Sequence, residues 1–405
     1  MEILLAVLTG LALLRAAAAL GEVLRLRRLV IDAADAPPPA GRPPRTAVLA
    51  PCKGVDPDMP AGLAGLLNQD HPDYEVVFAL ESPDDPAAVV VAGVLGTAPT
   101  APGLKRTEIV FTGPAADCGQ KIHNLRAAMD HASPDAEVLA FIDSDVRPDP
   151  AWLRKLIAPL TEPGVGVSTG YRWYLPLRGG AASAMLSAWN AVTANHMAAP
   201  GRSFAWGGSM ALTRDTFSAI RVPEHWAGSV SDDGSLTRAA KAAGLAIRFV
   251  PGCLVMSRAD TDWAGLWEFV ARQFTIVRVY AAKAWAVGLV FTALAAAGFF
   301  GGPAAALLSE DPSSGWGPWL LGGAGLLWGL NIAAGAVRLD MARRRFPGAA
   351  GAVLRTAPAL LLAAPVLTLL NLAALVRAGL SRRITWRGIG YVLHSPNRLT
   401  VLRRE

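Results

Sequence analysis

Charge is scarce in this chain: only 17% of its 405 residues are Asp, Glu, Lys or Arg, while 52% are hydrophobic, and the mean hydropathy is +0.34. That balance excludes an ordinary soluble enzyme and leaves one sizeable globular domain accompanied by membrane segments. Cysteine is scarce too. Cys52, Cys118 and Cys253 are far apart and match no metal-ligand spacing, which excludes a disulfide framework and suggests a reducing compartment. No Gly-x-Gly-x-x-Gly or Walker sequence occurs, so neither a dinucleotide loop nor a P-loop is indicated. Aromatic and basic residues do not interleave as in RNA-binding modules. The net charge of +6 comes largely from arginines beside apolar segments, which reads as membrane anchoring and not nucleic-acid binding.

What is present begins with a run from Ile3 to Leu20 that is apolar except for Arg15, followed by Arg25, Arg27 and Arg28. Charges after the run, not before it, predict an uncleaved anchor (residues 1–30) with the following domain in the cytoplasm; a cleaved signal, using Ala16 to Ala19, is the alternative. Ala33 to Pro44 reads as a linker. Near the other end, Ala284–Ser309, Pro312–Val337 and Thr356–Val376 are uncharged and long enough to span. The loop at Glu310-Asp311 lacks Lys and Arg, and the loop from Arg338 to Arg345 is basic. This again predicts a cytoplasmic domain in a multi-pass inner-membrane protein. Pro358, Pro365 and Asn371 interrupt the last block, so a kinked or re-entrant segment is expected to return the basic tail (379–405) to the cytoplasm. Before these blocks, residues 261–283 place Trp263, Trp267, Val270, Phe274, Val277 and Tyr280 at helical spacing, with Arg272, Arg278 and Lys283 nearby. That pattern predicts a helix in the membrane interface.

Between these membrane parts, residues 45–260 alternate strands and helices. Strands are expected at Thr46–Ala50, Tyr74–Leu80, Thr107–Phe111, Val138–Ile142, Gly164–Thr169 and Ala246–Val250. Helices are expected at Met59–Asn68, Ala87–Leu95, from Gly119 to about His131, and at Trp152–Leu160 and Ala181–Met197. The fold class is α/β, doubly wound, with a nucleotide crevice at the strand ends. The run Val138–Ile142 stops at Asp143-Ser144-Asp145. Two carboxylates bracketing a turn after a buried strand can reach one Mg²⁺ or Mn²⁺, which takes one or two carboxylates plus substrate phosphates; a solvated turn has the same spacing. Gly207 and Gly208 permit a close backbone approach, or form a plain turn. Asp232-Asp233 opens a helical pattern, where Asp is also a common cap; as a catalytic helix start, its carboxylates diverge by about 100°, so one faces the cleft.

The elements Lys53-Gly-Val-Asp-Pro57, Ser82-Pro-Asp84-Asp85-Pro86-Ala, Lys121-Ile-His-Asn-Leu125, Asp143-Ser-Asp145-Val-Arg147, Asp232-Asp233 and Ile384-Thr-Trp386-Arg387-Gly-Ile-Gly-Tyr391 occur in this order. In them the chain resembles membrane-bound family 2 and family 21 glycosyltransferases, most closely the ceramide glucosyltransferase type, over roughly residues 46–395. The resemblance implies a GT-A fold, a UDP-sugar donor, a divalent metal and inversion at the anomeric carbon. It implies that Asp143 and Asp145 hold the metal and that Asp233 is the base beside Asp232. Lys53, Asp56, Glu81 and Asp84 would line the nucleotide pocket, with Lys121 and Asp143 at it. His196, Gly207, Gly208, Arg272 and Gln273 are candidates for the acceptor side. The chain departs from the family pattern at Glu81-Ser82, where an Asp is usual, and at Arg272-Gln273-Phe274-Thr275-Ile276, which lacks an Arg-Trp pair.

The expectation is an inverting transfer of a hexose, glucose by resemblance, to a membrane lipid hydroxyl such as that of ceramide. The rivals are the same fold acting on hopanoid, diacylglycerol or polyprenyl phosphate, and a non-catalytic membrane assembly protein.

Overall fold

In the computed structural model, residues 2–35, 41–199, 201–309 and 315–404 are described. The loop at Glu310-Asp311 and part of the expected linker lie outside them. The chain divides into two compact units: Asp32–Tyr174, Met197–Ala259 and Arg383–Glu405 form one, and Met1–Ile31, Leu175–His196 and Asp260–Arg382 form the other.

The first unit is built on seven strands: β1 (Thr46–Cys52), β2 (Tyr74–Leu80), β3 (Leu104–Phe111), β4 (Val138–Ile142), β5 (Val165–Leu175), β6 (Ser209–Thr213) and β7 (Ala246–Arg258). Their order in the sheet is β3-β2-β1-β4-β6-β5-β7. β1 pairs in parallel with both β2 and β4, and β2 with β3. β6 runs antiparallel to β4 and β5. Every residue of β1, β2 and β4 is buried, as in a parallel strand covered on both faces, which is why these segments are apolar without alternation. The charged exception is Glu75 in β2. It is satisfied by Arg106 Nη1 at 3.1 Å and by the Ser133 N–H at 2.6 Å, the condition for burying a charge. Strand order reverses at β1, so the chain leaving β1, β2 and β4 borders one crevice at their carboxyl ends.

β2 and β4 have the expected bounds, whereas β5 and β7 run well past theirs. The sequence reading ends β7 before Pro251-Gly252, a pair that signals a turn. β7 lies at the edge of the sheet, where a residue without an N–H is tolerated, and the strand passes through. The tail is also more than a basic extension. β8 (Arg383–Trp386), β9 (Ile389–Ser395) and β10 (Arg398–Arg404) form an antiparallel sheet ordered β10-β9-β8. It belongs to the same compact unit as the seven-stranded sheet. All three cysteines are free and buried.

The second unit is helical. Glu2–Ala33, Ala282–Leu307 and Gly317–Arg345 are long and apolar enough to cross a membrane, and only 17%, 6% and 28% of their most apolar windows are buried. Much of the remainder, including Leu4, Val7, Leu14, Val290, Phe291 and Leu326, is exposed apolar surface of the kind that lipid covers. The third expected block is not one continuous helix. It breaks at Ala363 between the Ala357–Leu362 and Ala364–Leu380 helices, two residues before Pro365, which cannot donate within a helix. Asn371 in the second piece is met by Trp189, whose indole N–H donates to Oδ1 at 2.8 Å. The Trp263–Tyr280 helix begins at Asp262, whose carboxylate accepts from Gly265 N. Its expected aromatic face divides: Val270 and Tyr280 are buried, Trp263 and Trp267 are exposed, and Phe274 packs edge-on against Trp189.

Candidate active site

The carboxyl ends of the central strands set the site. After β1, Lys53 Nζ lies 2.7 Å from Glu81, which follows β2, and 3.9 Å from Asp85. Asp85 caps the Pro86–Thr97 helix by accepting from Ala87 N, and the same oxygen accepts the Gly54 N–H at 2.8 Å. One side chain thus starts a helix and fixes the Lys53–Gly54 loop. After β4, the Asp143–Asp145 turn is pressed by the Met59–Leu67 helix. A Cβ on Gly62 would stand 2.5 Å from the Val146 carbonyl, so that helix face needs glycine.

The segment Gln120–Leu125 divides its work by helical position. Ile122 and Leu125 are in the core. Gln120 accepts from Ala115 N at 2.8 Å and donates to Gly113 O at 2.9 Å and to Asn124 Oδ1 at 2.8 Å. Asn124 donates to Ala79 O at 3.1 Å, tying the helix to the end of β2. Lys121 is thereby aimed at the cluster. Its Nζ lies 2.7 Å from Asp143 Oδ1 and 3.1 Å from Asp232 Oδ2. Asp145 meets Arg172 of β5 at 3.0 Å, and that guanidinium lies 4.8 Å from the Tyr174 ring centroid and 5.2 Å from that of Trp206.

Asp232 and Asp233 open the Asp232–Ala242 helix, but Ser231 is its cap, accepting from Gly234 N. The divergence of adjacent helical side chains is realised. Asp232, only 1% exposed, turns to Lys121. Asp233, half-buried, accepts from Gly207 N at 3.2 Å, from Gly234 N at 2.7 Å and from the Ser231 hydroxyl. Gly207 is required by the protein's own side chains: a Cβ there would overlap Asp232 Oδ2 and stand 2.6 Å from Lys121 Nζ.

Burial pushes the Asp143 carboxyl up, but Lys121 and Arg172 outweigh it and hold the group below the ordinary carboxylate range. Asp145 moves the other way. Burial raises it, Arg172 opposes, and Asp143 and Asp56 add to the rise. Asp232 is pushed up to about 7 by burial, against Lys121 and with help from Asp233 and Asp143. Three carboxylates, Asp143, Asp145 and Asp232, therefore share two close cations, Lys121 and Arg172, and Asp233 stands beside them on Gly207 N. Asp145 Oδ1 is buried with no hydrogen-bond partner. Among the described residues no three His, Cys, Asp or Glu are grouped to hold a metal. The residues present fit a divalent ion taking Asp143 and Asp145 and completed by donor phosphates, the usual habit of Mg²⁺.

Of the expected residues, Lys53, Glu81, Lys121, Asp143, Asp145, Asp232, Asp233 and Gly207 are bound into this set of contacts, and Asp56 pairs with Arg387. Gly208 lies against the Trp206 ring. Asp84 is exposed; its neighbour Asp85 makes the contact into the Lys53 loop. His196, Arg272 and Gln273 belong to the helical unit, where the Arg272 guanidinium sits over Phe269, 5.3 Å from its centroid. The sequence reading missed Asp85, Arg172 and Arg387 as members of the site. The signal for Arg172 was an arginine flanked by Tyr171, Trp173 and Tyr174.

Two solved structures similar to this chain are a mannosyltransferase from Pyrobaculum calidifontis in complex with GDP-Man and Mn²⁺ and a glucosyl-3-phosphoglycerate synthase from Mycobacterium tuberculosis in complex with phosphoglyceric acid. The first is 18% identical, covers 92% of this chain and 98% of its own, and has a TM-score of 0.44. The second is 17% identical, covers 58% and 79%, and has a TM-score of 0.38. At these values nothing of their donors or acceptors is transferred to this chain. The family model of glycosyl transferase family 21 matches residues 7–399. The doubly wound α/β sheet with its strand-end carboxylates is the GT-A arrangement the resemblance implies, and the chain belongs to glycosyltransferase family 21.

Proposed function

We propose that this glycosyltransferase moves a hexose, glucose by resemblance, from a UDP-sugar to the hydroxyl of a membrane lipid such as ceramide, with inversion. The observation that carries this reading is the Lys121 bridge, which joins the strand-end Asp143 to the helix-start Asp232. It draws the carboxylates suited to a metal and those suited to base catalysis into one cluster.

A divalent ion on Asp143 and Asp145 would neutralise the diphosphate leaving group. Lys53, Asp56 and Glu81 border the nucleotide. The acceptor hydroxyl attacks the anomeric carbon from the face opposite the diphosphate. Its proton passes to the Asp233 carboxylate, the new C–O bond forms, and the old C–O bond breaks with its electron pair leaving on UDP. Asp233 is favoured over Asp232 because it is the more exposed of the two and an acceptor must reach it. Asp232 then holds Lys121 in place. The value of about 7 for Asp232 favours a second reading, with Asp232 as the base poised near working pH.

The apolar helices support an acceptor that resides in the membrane. Three crossings by Glu2–Ala33, Ala282–Leu307 and Gly317–Arg345 would return the chain to the side on which the sheet unit lies. That agrees with β8–β10 belonging to the sheet unit, and with basic residues 343–345 on the cytoplasmic face of an inner membrane. The test is UDP release by the purified full-length protein in bilayers, across several UDP-sugars and with ceramide, diacylglycerol or polyprenyl phosphate. Release that requires one lipid identifies the acceptor. No release with any pair contradicts the proposal.

A further inference from the structure

The turn joining β8 and β9 consists of Arg387 and Gly388, flanked by the pair Trp386↔Ile389. Both residues are left-handed, with φ of 51° and 74°, as in the two-residue turn that matches strand twist. Asn, Asp or Gly suits the first position; Arg bears a steric cost there. An arginine held in such a conformation invites the question of what its side chain does.

The guanidinium reaches Asp56 Oδ2 at 2.5 Å, in the loop after β1. Its charge also acts on Asp143 and Asp145, adding to the depression of the first carboxyl and opposing the rise of the second. The platform behind it is fixed. Ile384, Ile389, Tyr391 and Leu393 are buried. The Tyr391 hydroxyl accepts from Gln120 N at 3.3 Å, at the start of the helix that carries Lys121. Asn397 donates to the His225 carbonyl at 3.0 Å.

Three other cations at the crevice are enclosed by carboxylates or rings. Lys53 meets Glu81 and Asp85, Lys121 meets Asp143 and Asp232, and Arg172 meets Asp145 between two aromatic side chains. Their side chains are 27%, 15% and 13% exposed, against 40% for Arg387. Arg387 is the most open of the four, and its planar fork suits a diphosphate.

We propose that Arg387 is a donor-binding residue, exchanging Asp56 for the diphosphate of the nucleotide sugar, and that the β8–β10 sheet is therefore a wall of the donor site. This rests on the nucleotide-sugar reading above. In the free protein Asp56 keeps the guanidinium oriented and charged. When the donor binds, its phosphate oxygens take the place of that carboxylate.

The experiment compares UDP and uridine binding to the purified full-length protein and to Arg387→Asn and Arg387→Lys, with thermal unfolding measured in parallel. Asn suits the left-handed turn, so Arg387→Asn is expected to fold at least as stably as the parent. It should bind UDP about 10- to 100-fold more weakly, the usual weight of a charged hydrogen-bond pair, with uridine binding unchanged. Arg387→Lys should recover part of the loss. UDP affinity unchanged in Arg387→Asn would overturn the proposal, as would an equal loss for uridine, which marks a merely structural role. A parent protein that binds no nucleoside diphosphate removes the nucleotide-sugar reading itself, and this proposal with it.

Discussion

In the sheet unit, charges meet across segments far apart in sequence: Lys121 with Asp143 and Asp232, Arg172 with Asp145, Arg387 with Asp56. The helical unit holds ion pairs too, Arg15 with Glu22 and Arg27 with Asp340, but it adds a neutral contact, Trp189 to Asn371, and small residues let helices approach. A Cβ on Gly335 would overlap the Leu360 carbonyl. The difference teaches where function and stability separate. Crowded carboxylates in the first unit are not the cheapest way to hold a fold, whereas an amide–indole bond between helices serves assembly. Charge changes in the sheet unit should therefore act on turnover, and polar changes in the helical unit on stability.

The largest expected effect is on the proposed base. Asp233→Asn should lower turnover about 10²–10⁴-fold while UDP-sugar binding persists, measured by steady-state kinetics beside direct binding. Asp232→Asn should cost less; the opposite ranking moves the base to Asp232.

Asp232 sharpens the comparison through pH. Its carboxyl titrates near 3.8 when unfolded and about 7 when folded. Between those values the folded chain holds the extra proton, so stability falls as pH rises through the window and the loss is complete above it. Thermal unfolding midpoints between pH 4 and pH 8 should show that fall, and Asp232→Asn should flatten it. A slope equally steep in the variant would remove Asp232 as its source.

Gly207→Ala should destabilise the sheet unit by about 1–3 kcal/mol, the usual cost of overpacking, because its methyl overlaps Asp232 and crowds Lys121. Unfolding curves and kinetics should report both losses together. The smallest effect belongs to the helical unit. Asn371→Leu should lower stability by roughly 0.6–1.7 kcal/mol, the range for hydrogen bonds between membrane helices, and leave UDP affinity untouched. Altered UDP affinity would break the separation of roles.

The same contrast explains what could be read in advance. β2 and β4 were legible to the residue because a doubly covered strand is a continuous apolar run, and the carboxylates at their ends followed. Asp84 was preferred to Asp85, since sequence alone does not show which of two neighbours turns inward to cap a helix. Arg172 was hidden because its pairing with Asp145 joins β5 to the turn after β4, a contact no local pattern encodes. In the tail, Ile389, Tyr391 and Leu393 alternate as a half-buried strand does, but the surrounding arginines read as a basic extension. The break in the third apolar block was legible as well, because Pro358, Pro365 and Asn371 interrupt it, and it falls at Ala363.

The most direct test of the strand-end site is metal-dependent donor binding. UDP-sugar affinity of the full-length protein would be measured by titration in Mg²⁺, in Mn²⁺ and in excess EDTA, for the parent and for Asp143→Asn and Asp145→Asn. The account predicts tight binding only with metal, restored on adding it back, and weakened in both variants even at saturating metal. Equal affinity in EDTA, or variants that bind donor as the parent does, would contradict it.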